Sequence, residues 1–458
     1  MPRGAAPPSI VAAAPCPFLF RRPLADLWLR PWFDWLGLRF VSRFYFPVSR
    51  GWASAAEPGC TVEAFRAAHA LPGAAAPALA PALERVARAS ERYAARHWRW
   101  QQAFFGPEDL APAALAAIEC ERSEAAHAFM ALRQLFGRWR RRLPAAAWSI
   151  AGPDEVHRRH GHRLAQPERA YAVPASGEIL RSRSAPAAWG SVGWLSFVSP
   201  VLADRVTARV EEPAAPRQDR PTLILLHGIA MEDEMWRPRP DPFGRLRAAG
   251  WRIVKPEGPW HGRRRLSGTY GGEPVMARGL EGFLTLFEAW VAETALLIAW
   301  ARRQGGPVVL AGISLGALTA QLLASEARRW PAELSPDALL LIGTSASMPR
   351  AAYDGALAKA LEMPRRLAEA GWEREQLEPW LTLLEPAECA LPPERIVLLL
   401  GNRDRVTPFD SGLLLATRWQ VPPQNIFRPR QGHFSVALGL TAFPAPLDRL
   451  RQVVGALP

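Results

Sequence analysis

Four short segments carry residues whose types and order suit nucleophilic catalysis. Gly312-Ile313-Ser314-Leu315-Gly316 follows the apolar run 307–311 and opens a helical stretch at 317–328. A serine on so tight a strand-to-helix turn needs small residues on both sides, and it stands clear of the strand end. The helix start supplies the Leu315 N–H and a positive dipole end, both suited to developing negative charge. Leu225-Leu226-His227-Gly228-Ile229-Ala230 closes an apolar strand run. A turn there offers a second backbone N–H, that of Ile229 or alternatively Ala230, while His227 reads as structural.

Asp404 lies in Gly401-Asn402-Arg403-Asp404-Arg405-Val406-Thr407-Pro408, just after the run 396–400, and His433 lies in Arg430-Gln431-Gly432-His433-Phe434. A serine hydroxyl becomes a useful nucleophile when an imidazole accepts its proton, and a carboxylate fixes the tautomer of that imidazole and stabilises its cation. His433 is the only histidine after Asp404, so if the chain order Ser–Asp–His holds it is the only available base. The strand before ends Gly343-Thr344-Ser345-Ala346, with no carboxylate to compete. Asp410 is the fallback for the acid. An ordinary loop ion pair with Arg403 or Arg405 is the other reading of Asp404.

The segment 250–263, GWRIVKPEGPWHGR, completes a recognisable order. Together these motifs resemble the α/β-hydrolase superfamily, in which a G-[YF]-x-V-x-x-P-D-x-x-G-H-G segment follows the HG strand. Trp260 stands where glycine is usual, and Glu257 replaces the common aspartate. The GPWHGRR form is similar to a poorly characterised branch of abhydrolase-domain proteins. The resemblance covers about 190–458. It implies Ser314, Asp404 and His433 as a catalytic triad, Ile229 and Leu315 N–H as the oxyanion donors, and His261 as a loop residue.

The elements that must position these residues follow from the apolar pattern. Strand candidates at 222–226, 252–255, 308–311, 338–342, 396–400 and 425–428 alternate with helical stretches, and a long periodic helix fills 280–303. That alternation predicts an α/β fold with a mostly parallel sheet and helices on both faces. Residues 206–210 read as a further strand. The predicted domains are a helical accessory region at 1–145, a connecting segment at 146–190 and the α/β-hydrolase domain at 191–458. A helical insertion at 348–393 takes the place where the superfamily carries its cap. Within the accessory region two helices are expected at 79–104 and 110–142. The segment 24–46 (LADLWLRPWFDWLGLRFVSRFYF) sets Asp26, Arg30 and Asp34 as a narrow polar stripe on a broad apolar face. Two readings of it stay open: an interfacial anchor, or a helix packed over the catalytic domain. Pro31 breaks or kinks it.

Composition bounds the rest. Net charge is +13 and Lys255 and Lys359 are the only lysines, so the excess is arginine. Such a charge suits an anionic lipid surface or an acidic substrate. No nucleic-acid motif accompanies it, and the run 137–142 (GRWRRR) reads as a solvated helix end. Cys16, Cys60, Cys120 and Cys389 form no CxxC pair, which argues against a disulfide framework or a zinc site. His157, His160 and His162, beside Asp154 and Glu155, match no metal motif. No cofactor or metal is expected. Residues 9–20 only loosely mimic a signal-peptide core, and no apolar run of 18 residues appears. A cytoplasmic protein, peripheral at a membrane surface through 24–46, is the expectation.

The sequence therefore predicts a serine hydrolase that cleaves an ester, of hydrophobic acyl or lipid-like character, through an acyl-enzyme on Ser314. The rivals are a non-catalytic scaffold or binding protein on the same fold, and an acyltransferase or thioesterase using the same three residues.

Overall fold

A computed structural model describes residues 24–457, apart from 176, 216–218, 233–240 and 382. The signal-like stretch 9–20 lies outside the described residues. The strands, numbered in chain order, are β1 (Leu180–Arg181), β2 (Ala185–Ala187), β3 (Gly190–Val198), β4 (Arg205–Pro213), β5 (Thr222–Leu226), β6 (Arg252–Pro256), β7 (Val308–Ile313), β8 (Ala338–Ile342), β9 (Ile396–Leu399) and β10 (Ile426–Phe427). They form one sheet in the order β1-β3-β4-β6-β5-β7-β8-β9-β10, with β2 beside β3. From β6 to β10 every pairing is parallel, and β1 to β4 add an antiparallel edge.

The six predicted parallel strands are all present within a residue or two of their expected ends. Their side chains alternate between two apolar layers, as a strand's period of two dictates. Ile224 and Leu226 of β5 and Leu339 and Leu341 of β8 enter one core. Leu223, Leu225, Leu340 and Ile342 enter the other. All ten residues of β5 and β8 are buried, the mark of a parallel sheet covered on both faces. Helices Leu280–Arg303 and Leu315–Glu326 cover the first face, and Gly244–Ala248 and Ala445–Gly455 the second. Leu280–Arg303 is the one helix among the described residues long and apolar enough to cross a membrane, yet 78% of its apolar window is buried within the fold.

The N-terminal region is helical, with long helices at Ala76–Phe105 and Pro112–Ala131. The second is shorter than expected because its chain tightens into a 3-10 helix at Leu132–Trp139. This region shares a single core with the sheet domain: Phe46, Trp52, Phe65 and Phe136 belong to the same apolar cluster as Leu226, Leu284 and Leu310. The segment 24–46 is two helices, Leu24–Trp28 and Pro31–Phe40, followed by a π-helical turn at Val41–Tyr45. Pro31 starts the second helix at its first turn, where a missing N–H costs nothing.

Candidate active site

Ser314 stands between β7 and helix Leu315–Glu326 with φ 53° and ψ −115°, a left-handed conformation for a non-glycine residue. Strain of this kind costs about 1–3 kcal/mol and persists where the surroundings enforce it. The glycines explain how. A Cβ on Gly312 would lie 2.3 Å from the Gly316 carbonyl oxygen, and one on Gly316 would lie 2.3 Å from that of Leu226. The spacing seen in the sequence is thus a backbone packed on backbone, which lifts the serine hydroxyl off the sheet.

Three side chains separated by up to 119 residues meet there. His433 Nε2 is 2.8 Å from Ser314 Oγ, and His433 Nδ1 is 2.7 Å from Asp404 Oδ2. Asp404 is 5% exposed and has further partners in its own loop. Its Oδ1 accepts from the N–H groups of Val406 at 2.8 Å and Thr407 at 3.1 Å. The Thr407 hydroxyl lies 2.9 Å from Asp404 Oδ2, 3.0 Å from the Gly343 carbonyl and 3.1 Å from His433 Nδ1. Gly343, at φ +59°, keeps the floor open: a Cβ there would touch the His433 ring at 3.4 Å. Burial alone would push the His433 imidazolium down; the charge and hydrogen bond of Asp404, with the charge of Asp34, outweigh it and hold the group above 6.5. Asp410 is exposed and paired with Arg350, away from the imidazole. Arg403 and Arg405 are not the partners of Asp404.

Two backbone N–H groups flank the serine. Neither Leu315 N–H, in the first turn of its helix, nor Ile229 N–H, in the turn after β5, has a hydrogen-bond acceptor among the described residues. Ala230, the alternative to Ile229, is corrected: its N–H donates to His261 Nε2 at 3.1 Å. His261 in turn donates from Nδ1 to the Pro259 carbonyl at 2.9 Å, and burial first, then the neighbouring His227, hold it neutral well below 6.5. It is a loop residue that fastens the turn beside the serine. His227 does similar structural work, with Nδ1 at 2.8 Å from the Gly228 carbonyl and Nε2 accepting from Gly258 N–H at 3.0 Å. Trp260 takes φ +60°, which explains why glycine is usual at that place in the motif. Glu257 accepts from Arg263 N–H at 3.3 Å and pairs with the Arg263 guanidinium at 3.3 Å.

A cavity of about 510 Å³ opens on Ser314 and His433. The N-terminal segment contributes Phe33, Gly37, Phe40 and Val41 to its lining. The ion-paired cluster of Glu211, Arg247, Lys255 and Asp241 also lines it. A smaller space of about 90 Å³ lies on the other side of the serine, lined by Met276, Phe283, Leu318, Met348, Leu357 and Leu361 among others. Helices Met348–Ala352 and Ala356–Ala360, within the predicted insertion, roof it. His157, His160 and His162 lie on helix Pro153–Ala165, away from the linings of these cavities, and His157 packs edge-on to Trp380. Arg159, on the same helix, pairs with Glu155 one turn before it and with Glu281 of the helix Leu280–Arg303. No group of three His, Cys, Asp or Glu among the described residues is arranged to hold a metal ion.

Residues 223–447 match the model of the alpha/beta hydrolase family. This domain belongs to the α/β-hydrolase superfamily. Among curated proteins none matches the chain. Solved structures similar in outline include an acetyl xylan esterase from Paenibacillus sp. R4, at 11% identity and TM-score 0.46, covering 68% of this chain and 96% of its own. Acetyl xylan esterase 1 from Thermoanaerobacterium sp. JW/SL YS485 has 17% identity and TM-score 0.42, covering 65% and 97%. Brefeldin A esterase, a bacterial homologue of human hormone sensitive lipase, has 17% identity and TM-score 0.40, covering 70% and 90%.

Sequence reasoning missed three participants in the α/β-hydrolase site. Thr407 sits beside Asp404 and His433, and its signal was its place three residues after Asp404. His261 fastens Ala230, which no local pattern announces. Asp34 comes from the opposite end of the chain.

Proposed function

We propose that this protein is a serine hydrolase that cleaves carboxylic esters of apolar acyl character through an acyl-enzyme on Ser314. The observation that carries the reading is the hydrogen-bonded line Ser314 Oγ–His433 Nε2 and His433 Nδ1–Asp404, at 2.8 and 2.7 Å, on a strained turn facing two open N–H groups. In the first half-reaction His433 Nε2 takes the hydroxyl proton as Ser314 Oγ bonds to the ester carbonyl carbon. The carbonyl oxygen becomes an oxyanion held by the Leu315 and Ile229 N–H groups. The intermediate collapses, the C–O bond to the leaving group breaks, and His433 returns the proton to the departing alkoxide. A water molecule, deprotonated by the same nitrogen, then repeats the sequence on the acyl-enzyme and restores Ser314.

The apolar character of the substrate rests on the linings. Both spaces meeting at the serine have mainly hydrophobic walls, and the smaller one is lined almost wholly by them. A lipid surface as the place of work rests on the outer face of the N-terminal segment. Leu27, Trp32, Trp35, Leu36 and Phe40 are each 47–69% exposed, and Arg30, Arg39 and Arg43 are exposed beside them. About half of each apolar side chain is thus free to enter a bilayer, worth on the order of 5 kcal/mol together. The three cations add about 1 kcal/mol each at an anionic leaflet. The two readings of 24–46 are compatible: the inner face of this segment packs on the catalytic domain while its outer face stays uncovered.

The test is hydrolysis of a series of chromogenic esters of increasing acyl length by the full-length protein and by Ser314→Ala. Activity that rises from acetyl to longer chains and vanishes in the variant is expected. Equal rates for the two proteins would refute the reading.

A further inference from the structure

The helix that begins at His433 is preceded by Gly432, which has no side chain to cap it. Its open N–H groups are met by one carboxylate from about 400 residues away in sequence. Asp34 Oδ1 accepts from Phe434 N–H at 2.6 Å and from Ser435 N–H at 2.9 Å. Asp34 Oδ2 accepts from Gly432 N–H at 3.0 Å and from the Ser435 hydroxyl. That hydroxyl also receives Gly432 N–H at 3.0 Å, so the N–H groups of Gly432, Phe434 and Ser435 are all tied to Asp34, with Ser435 as a second link.

The approach is built for this contact. Asp34 lies in the first turn of Pro31–Phe40, and a Cβ on Gly37, one turn later, would come 3.0 Å from the Phe434 ring. A larger residue at 37 would hold the two helices apart. The same segment ends on the other side of the site, where the Tyr45 hydroxyl lies 3.3 Å from the carbonyl of Ala230. The Arg133 guanidinium donates to that hydroxyl at 2.9 Å and pairs with Glu232 at 3.1 Å, three residues beyond Ile229.

We propose that Asp34 is a positioning residue for the base: by capping the helix that starts at His433, it holds the imidazole in line between Ser314 and Asp404. This rests on the serine-hydrolase reading. The N-terminal segment is then part of the catalytic assembly rather than a detachable anchor. The physical argument is one of restraint and charge. Hydrogen bonds from a helix start to a carboxylate are charge-assisted and strong. Without them the first turn, and the imidazole with it, is free to drift from a geometry set to tenths of an ångström. The charged groups that act on the imidazole are Asp404, from the loop after β9, and Asp34, from the N-terminal helix, and both favour its cation.

Asp34→Asn and Asp34→Ala in the full-length protein, assayed on a short soluble ester across pH, test the proposal. In Asp34→Asn an amide N–H₂ replaces one acceptor, and the negative charge is gone. For D34N kcat is expected to fall roughly tenfold, and for D34A up to about a hundredfold, with KM within a few-fold. The acid limb of kcat/KM is expected at lower pH in D34N, since the imidazolium loses a stabilising charge. A merely structural contact would not move that limb. Wild-type kcat in folded D34A, or an unmoved acid limb in D34N, would overturn the proposal. If D34A does not fold, the D34N profile decides. If the wild-type protein hydrolyses no ester, the functional reading falls by itself; the His433 imidazole titration, followed by NMR, still decides the role of Asp34 by shifting down in D34N or staying put.

Discussion

Replacing Asp404 by asparagine changes one atom and separates geometry from electrostatics. Asp404 accepts on both oxygens, from two backbone N–H groups on Oδ1 and from the Thr407 hydroxyl and His433 on Oδ2. An amide has one acceptor. The two fixed backbone donors claim it, so the N–H₂ must face His433 Nδ1. That nitrogen then has to accept, and the ring proton moves to Nε2, where Ser314 needs a lone pair. The serine loses its base while every heavy atom stays in place. Loss of the correct tautomer in such triads costs about 10⁴ in kcat, or about 5.4 kcal/mol at 1.36 kcal/mol per decade. Steady-state hydrolysis of a chromogenic ester is expected to show that loss with KM changed by a few-fold at most. A second signature comes from pH. In the proposed mechanism His433 works as a neutral base, so activity is expected to fall as pH drops through its pKa, which in the wild-type protein lies above 6.5. Asp404 is the largest cause that raises it, so the limb in Asp404→Asn belongs at lower pH. Turnover within tenfold of wild type would refute this reasoning, because Asp410 is exposed and bound to Arg350 and cannot take over.

Three further outcomes follow from the same geometry. Gly316→Ala places a methyl 2.3 Å from the Leu226 carbonyl oxygen, a backbone atom that cannot step aside, and is expected to lower stability by about 1–3 kcal/mol in a thermal or urea melt; an unchanged melt would show that the turn is not packed as described. Burial first, then Arg50, hold His69 down to about 4 in the folded protein, below the 6.5 of an unfolded chain. The unfolded state therefore takes up a proton first as pH falls from 6.5 towards 4, stability drops over that window, and His69→Gln should flatten the drop in melts recorded across it. Trp32→Ser with Trp35→Ser removes two half-exposed rings from the outer face, so co-sedimentation with anionic liposomes should weaken while hydrolysis of a soluble ester persists. Undiminished binding would remove the basis for a lipid-facing segment. Deleting residues 1–50 is a poorer test, because it also removes Asp34 and the buried Phe46.

Most of the fold and the central site residues were legible in the sequence because their determinants are local. Each parallel strand is a short apolar run between turn residues, and Gly312 and Gly316 announce a turn that only glycines can make. Asp404 and His433 each follow a strand at a place the α/β-hydrolase pattern marks. The candidate donor after β5 was legible only to within one residue, since Ile229 and Ala230 differ in nothing local; it is His261, 31 residues beyond Ala230, that engages the Ala230 N–H and leaves that of Ile229 as the candidate. Asp34 was legible as a polar residue on an apolar helix and no further. Its partners lie 398 to 401 residues away, and no periodicity spans that distance. The faint signal was at the other end, in a helix opening on Gly432 with no capping side chain of its own.

The central claim is that Ser314 is a covalent nucleophile activated by His433. Incubation of the full-length protein with a fluorophosphonate, followed by intact mass and peptide mapping, tests it directly. One adduct is expected, on the peptide that contains Ser314, with none on Ser314→Ala and strongly slowed labelling in His433→Ala. An adduct that persists in Ser314→Ala, or its absence from a folded wild-type protein, would contradict the account.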